Sequence, residues 1–188
     1  MLRFFTQQEY AAVEAAADRL LPPLDAHPGG RALGVADYID ALLGAFTVDP
    51  PLIYAGGPFS GRFGGDASFD EFLPLSAHEE LAWRTRIEGS FGKPEREFNG
   101  PVRGWQEIYR EGIAALGTDF CTVDGEEQDR RLRRQRELRA LLYEHACEGA
   151  YGAPEYGGNR NTMGWQAIQF PGDVQPRGYT DEEVRGRD

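Results

Sequence analysis

The stretch Thr6-Gln7-Gln8-Glu9-Tyr10-Ala11-Ala12-Val13-Glu14-Ala15-Ala16-Ala17-Asp18-Arg19-Leu20-Leu21-Pro22-Pro23 reads as a helix from its first residue to its last. Thr6 and Glu9 stand at capping-box spacing, where each side chain satisfies a free backbone N–H of the other's first turn. Tyr10, Val13, Ala17, Leu20 and Leu21 recur at the spacing that lines one helical face. Pro22-Pro23 ends the run, because a proline biases its predecessor away from helical backbone.

Reading outward, the same grammar recurs. Asp25 to Gly30 is a loop by composition, and a second helix follows from about 34 to 46 with Val35, Tyr38, Ile39, Leu42, Leu43 and Phe46 on its apolar face. Asp37 and Asp40 fall off that face. Ser76 and Glu79 repeat the capping box and open a third helix to about 88, burying Leu81, Trp83 or Ile87. A fourth spans about 104 to 116, with Trp105, Ile108, Tyr109, Ile113 and Leu116 inward. Asp124 caps a fifth that reaches about 147 as one long helix. No strand pattern appears. The expected fold is mainly α: a small bundle of about five helices with long ordered loops rich in Gly, Pro and aromatics. One helical domain is expected over 1–172, followed by a polar tail over 173–188.

The chain has 188 residues, 24 of them glycine and 12 proline, with 11 Phe and 8 Tyr. Its glycines concentrate where aromatics do. Residues 47–75 carry Gly56, Gly57, Gly61, Gly64 and Gly65 among Tyr54, Phe59, Phe63, Phe69 and Phe72. A disordered linker is poor in aromatics, so this reads as an ordered, irregular segment packed on something. Residues 89–101 form a second broken stretch. The formal net charge of −11 argues against nucleic acid, which needs clustered positive charge. No apolar run approaches the ~18 residues of a membrane span.

The chemistry-bearing residues form no recognised catalytic set. His27, His78 and His145 stand apart from one another at no ligand spacing, and His78-Glu79-Glu80-Leu81-Ala82 lacks the second histidine of a zinc-protease motif. His145 and Cys147 point to different sides of a helix. Cys121 and Cys147 read as two reduced thiols, with a single bridge as the alternative. Gly56-Gly57-Pro58-Phe59-Ser60-Gly61 runs into Arg62-Phe63 rather than the Lys-Ser/Thr of a phosphate-binding loop. Between 130 and 139 lie Arg130, Arg131, Arg133, Arg134, Arg136 and Arg139. Glu126, Glu127 and Asp129 precede Arg130, Arg131 and Arg133 by four residues. That run is either a solvated face neutralised by its neighbours or a salt-bridging face for an acidic partner.

The densest segment is Tyr156-Gly157-Gly158-Asn159-Arg160-Asn161-Thr162-Met163-Gly164-Trp165-Gln166-Ala167-Ile168-Gln169-Phe170-Pro171-Gly172. Its Tyr-Gly-Gly-Asn-Arg, Gly-Trp and Phe-Pro-Gly parts resemble the C-terminal pattern of the gluconate 2-dehydrogenase subunit 3 family. The N-terminal half is similar to that family too, at Phe5-Thr6, at Ala17-Asp18-Arg19-Leu20-Leu21-Pro22, and at Gly34-Val35-Ala36-Asp37-Tyr38-Ile39-Asp40.

The resemblance implies a small subunit without catalytic residues or a cofactor of its own. Its partner would be a large FAD-dependent subunit of the glucose–methanol–choline oxidoreductase (GMC) type that oxidises a sugar, glycoside or sugar acid, with a cytochrome subunit often taking the electrons. It also implies export to the periplasm. No twin arginine stands in the first residues, so either an export signal has been removed from this sequence, or the complex stays in the cytoplasm or relies on the partner's export signal. Partner contacts are expected at Tyr54, Phe59, Phe63, Tyr156, Gly157, Gly158, Asn159, Arg160, Trp165 and Phe170. Two roles stay open for the last loop: Asn159 or Arg160 touching sugar hydroxyls, or Arg160 tying the loop down. An assembly chaperone that leaves after folding, and a stand-alone enzyme, are the competing readings of the whole chain.

Overall fold

The computed structural model describes residues 1–25, 27–53, 72 and 74–171. Tyr54, Phe59 and Phe63, the glycine cluster around them, and the tail over 173–188 lie outside the described residues. The described chain is helical, with α1 (Gln7–Leu20), α2 (Gly29–Ala32), α3 (Val35–Leu43), α4 (Ala77–Glu88), α5 (Trp105–Leu116), α6 (Gly125–Arg134), α7 (Arg136–Tyr151) and α8 (Met163–Ala167). Among the described residues there is no strand; one isolated bridge pairs Leu24 with His27.

Both capping boxes form as the spacing predicts. The Glu9 N–H donates to Thr6 Oγ1 at 3.2 Å and the Thr6 N–H to Glu9 Oε2 at 2.8 Å. Ser76 and Glu79 repeat the exchange at the start of α4. The main core gathers Val13, Ala16 and Ala17 of α1, Val35 and Ile39 of α3, Tyr109, Ile113 and Leu116 of α5, Leu132 of α6, and Leu138, Leu142 and Ala146 of α7. A smaller apolar cluster of Leu42, Ala45 and Ile87 lies against Trp83, Trp105 and Ile53.

The structure departs from the sequence expectation in three places. The fifth helix is two. Gln135 (φ −93°, ψ 69°) separates α6 from α7. On one continuous helix Leu132 and Leu138 would point about 120° apart; the break turns both into the core, at 2% and 3% exposure. The Asp25–Gly30 loop ends in the short α2. Its Gly30 is where it is because a Cβ there would sit 2.8 Å from the Ala17 carbonyl, so only glycine lets α2 close on α1. Asp40 is not on a solvent face. It is buried, and its carboxylate accepts the Arg3, Phe4 and Phe5 N–H groups at 2.7, 3.0 and 2.9 Å. One side chain thereby holds the N-terminal segment, including the buried Phe5, against α3.

Candidate functional site

The C-terminal end of a helix leaves its last carbonyls without partners. Here α7 finishes at Tyr151, and the segment that follows returns to supply donors. The Asn159 N–H donates to Gly149 O at 2.6 Å, Asn159 Nδ2 to Gly152 O at 2.9 Å, and Trp165 Nε1 to Tyr151 O at 2.7 Å. Residues 153–171 therefore act as a long cap on α7. Asn159 is the centre of it. It is fully buried, and its Oδ1 accepts the Gly164 N–H at 2.9 Å. Its amide orientation is unambiguous, because one side faces a carbonyl and the other an N–H.

Two glycines make the fit possible. A Cβ on Gly158 would overlap the Gly149 carbonyl, and one on Gly164 the Ala150 carbonyl. The segment's backbone is also strained: Asn159, Asn161, Thr162 and Gln169 have φ of 45°, 55°, 55° and 57°. Asn tolerates this left-handed region, but a β-branched Thr does not do so readily. Strain of this kind persists only where surrounding contacts over-determine it.

Arg160 fastens the other side of the loop. Its N–H donates to Leu33 O at 3.0 Å, and its guanidinium pairs with Asp37 on α3. Asp37 also accepts from the Tyr10 hydroxyl at 2.6 Å. Burial first, and then that hydrogen bond, raise the Tyr10 phenol well above its ordinary value. Gly34 (φ 74°) leaves the room this cluster needs, since a Cβ there would lie 3.3 Å from both the Arg160 guanidinium and the Asp37 carboxylate.

The structure thus brings Gly158, Asn159, Arg160 and Trp165 together as anchors. Asn159 and Trp165 turn inward and Arg160 lies across the surface in its ion pair. Gly157 and Phe170 are at the surface; Phe170 stacks edge-on against Trp165, with ring centres 5.3 Å apart. Ile168 beside it is exposed as well. Tyr156 is half-buried and meets Phe72 edge-on at 6.0 Å, so the two aromatic-rich blocks touch. It also lines a small apolar pocket with Tyr38, Leu42, Ile53 and Trp83.

One surface escaped the sequence reading. The 89–104 loop presents Phe91 and Phe98 at 69% and 94% exposure. It is nonetheless tightly built. Glu97 accepts from Ser90 Oγ at 2.6 Å and the Gly92 N–H at 2.9 Å, while the buried Arg96 donates to Gly89 O and Glu88 at 2.9 Å each. Two phenylalanines between glycines were the signal available.

The titratable groups elsewhere behave as packing elements. His145 is fully buried, stacked on Tyr109 and edge-on to Trp105, with Nδ1 3.1 Å from the Tyr109 hydroxyl. Burial lowers its pKa to about 4. His27 Nε2 meets the Tyr151 hydroxyl at 2.7 Å. Cys121 and Cys147 are free thiols. Among the described residues no group of three or more His, Cys, Asp or Glu could hold a metal ion, and no helix is long and apolar enough to cross a membrane.

A family model described as gluconate 2-dehydrogenase subunit 3 matches residues 7–172, nearly the whole chain and all of the α7 cap. No curated protein and no solved structure matches it.

Proposed function

The chain belongs to the gluconate 2-dehydrogenase subunit 3 family, and we propose that it serves as the small, non-catalytic subunit of a dehydrogenase complex. Its partner on this reading is a large FAD-dependent subunit of the glucose–methanol–choline type that oxidises a sugar, glycoside or sugar acid. The flavin and the oxidation chemistry belong to that partner, and a cytochrome subunit is the electron acceptor. The complex is periplasmic.

The observation that carries the reading is how the family's signature segment is used. The polar groups of Asn159 and Arg160 are engaged within the chain, on Gly152 O, the Gly164 N–H and Asp37. Outward, among exposed polar residues such as Asn161, Gln166 and Gln169, the segment presents two large apolar side chains, Ile168 and Phe170. Together with Phe91 and Phe98 of the 89–104 loop, these side chains are of the kind that anchor protein interfaces, held on backbone that loses little freedom on binding.

The test is co-expression with a glucose–methanol–choline flavoprotein from the same genome, followed by size-exclusion chromatography and flavin absorbance of the eluted species. A stable one-to-one complex carrying flavin supports the subunit. Improved flavin loading of the large chain without a stable complex transfers the role to an assembly chaperone. Sugar oxidation by this chain alone sinks both.

A further inference from the structure

The arginines around the α6–α7 break are short of acids. Glu127 is shared by Arg130 and Arg131, and Arg131 also grips Asp119 at 2.5 Å. Asp129, the acid spaced to neutralise Arg133, instead takes the Arg19 guanidinium of α1 in a two-point contact at 2.8 and 2.9 Å. Glu137 pairs with Arg103. Arg133, Arg134, Arg136 and Arg139 are all exposed, and among the described residues none of them forms an ion pair. Arg136 shares a groove with Glu111 and Glu137, so the excess charge is centred on Arg133, Arg134 and Arg139. One helical turn beyond Arg139 on the same face of α7, Tyr143 is 53% exposed.

A positive face of this kind is the exception on a chain of net charge −11. It has three further properties. Its backbone is fixed, because Leu132 and Leu138 on either side of the break are core residues. Its guanidiniums make no direct ion pair with the acids of α6, although Arg133 and Arg139 act on Asp129, and Arg134 on Glu127, at longer range. Its side chains, Arg with a neighbouring Tyr, are those that dominate interface energetics. A broad anionic surface such as a bilayer would meet the repulsion of the whole molecule, whereas a discrete group of carboxylates meets only this face.

We propose that Arg133, Arg134 and Arg139, flanked by Tyr143, form a docking surface for a carboxylate-rich patch on the partner subunit. The assignment rests on the subunit reading above. It adds a second, electrostatic contact at the end of α7 opposite the Phe170 loop.

The test uses the co-purified complex and its separated subunits. The triple variant Arg133→Glu/Arg134→Glu/Arg139→Glu, and the milder Arg133→Gln/Arg134→Gln/Arg139→Gln, are titrated against the flavin subunit at about 50 mM and about 300 mM salt, where screening differs markedly. Wild type should weaken as salt rises. The charge-reversed variant should bind roughly 30-fold or more weakly at low salt and lose most of the salt dependence, with the glutamine variant between them. Helical signal and urea midpoint of both variants should match wild type, since the three side chains are exposed. Binding of either variant within about threefold of wild type, with salt dependence intact, overturns the docking surface and leaves the subunit reading standing. Wild type failing to form a complex removes both. Wild-type binding to phosphatidylglycerol vesicles that the triple variant loses, with complex affinity unchanged, assigns the face to lipid and overturns the proposal.

Discussion

Asn159→Asp replaces one atom at the centre of the α7 cap, and its effect can be bounded from the hydrogen bonds alone. Oδ1 still accepts the Gly164 N–H. The amide nitrogen that donated to Gly152 O becomes an oxygen facing a carbonyl. A lost hydrogen bond that leaves a buried acceptor unpaired costs about 1–3 kcal/mol, and the oxygen–oxygen approach adds to it. There is also a ceiling. A protonated carboxyl donates to Gly152 O much as the amide does, so the penalty cannot exceed the work of protonating an aspartate. At pH 7 that is about 1.4 kcal/mol for each pH unit above ~3.9, or about 4 kcal/mol. The expected loss at pH 7 is therefore about 2–4 kcal/mol. For a chain of this size it lowers Tm by roughly 5–15 °C.

The sign of the pH dependence separates this account from a general loss of packing. Full burial beside a carbonyl raises the folded-state pKa of the new carboxyl above its unfolded value. Stability is then fully present below the unfolded pKa and is lost as pH rises through the folded one. At pH 5 the ceiling has dropped to about 1.5 kcal/mol, so the variant should approach wild type in acid. The assay is urea denaturation followed by circular dichroism, with variant and wild type compared at each pH so that contributions common to both cancel. A variant as stable as wild type at pH 7, or a deficit that stays constant or grows toward pH 5, would refute the assignment of Asn159 as the internal donor of the cap.

Other expectations follow from the same structure. Asp40→Ala leaves the Arg3, Phe4 and Phe5 N–H groups without their acceptor; a loss of about 2–4 kcal/mol in urea denaturation is expected. Release of the N-terminal segment caps it, so Asp40→Ala and Phe5→Ala should combine less than additively. Gly164→Ala drives a methyl into the Ala150 carbonyl; the α7 cap should open, seen as rapid proteolysis within residues 153–171, and a variant as resistant as wild type contradicts the packing. His145, with its pKa lowered to about 4 by burial, binds its proton more weakly folded than unfolded. Wild-type stability should accordingly fall between about pH 6.5 and pH 4, by up to about 3 kcal/mol. His145→Leu should flatten that limb of the pH profile, and an unchanged limb rules the histidine out as its source.

Helix positions were legible where the signal is local. Thr6–Glu9 and Ser76–Glu79 are pairs of neighbours, and their capping geometry follows from spacing alone. The break at Gln135 was not legible, because Leu132-Arg133-Arg134-Gln135-Arg136 carries good helix formers throughout. What splits it is the need of Leu132 and Leu138 to reach one core. Asp40 was misplaced for a related reason: its partners are backbone N–H groups more than thirty residues away, which no side-chain pattern reveals. The loop after α7 could be read as constrained from its Gly, Asn and Trp content. The inward direction of Asn159 could not, since its partners are the Gly149 and Gly152 carbonyls and the Gly164 N–H, set by a helix that runs several residues past the end its sequence pattern marks.

The two proposed contact surfaces have a fixed relation that neither shows by itself. Arg139 stands in the first turn of α7, and the Phe170 loop is bonded to its last carbonyls. Sixteen helical residues separate the ends by about 24 Å, a rigid spacer. A partner engaging both ends pays the cost of association once, so the second contact acts at high effective concentration and the affinities multiply rather than average. That arrangement gives the strained cap a reason to exist. Four residues held at positive φ would be a poor way merely to finish a helix, which a single glycine can do. They are a good way to place Ile168 and Phe170 at a set distance and angle from the arginine face. Loosening the cap should therefore weaken the complex even when every exposed side chain is retained, whereas removing the arginines should weaken it with the cap intact.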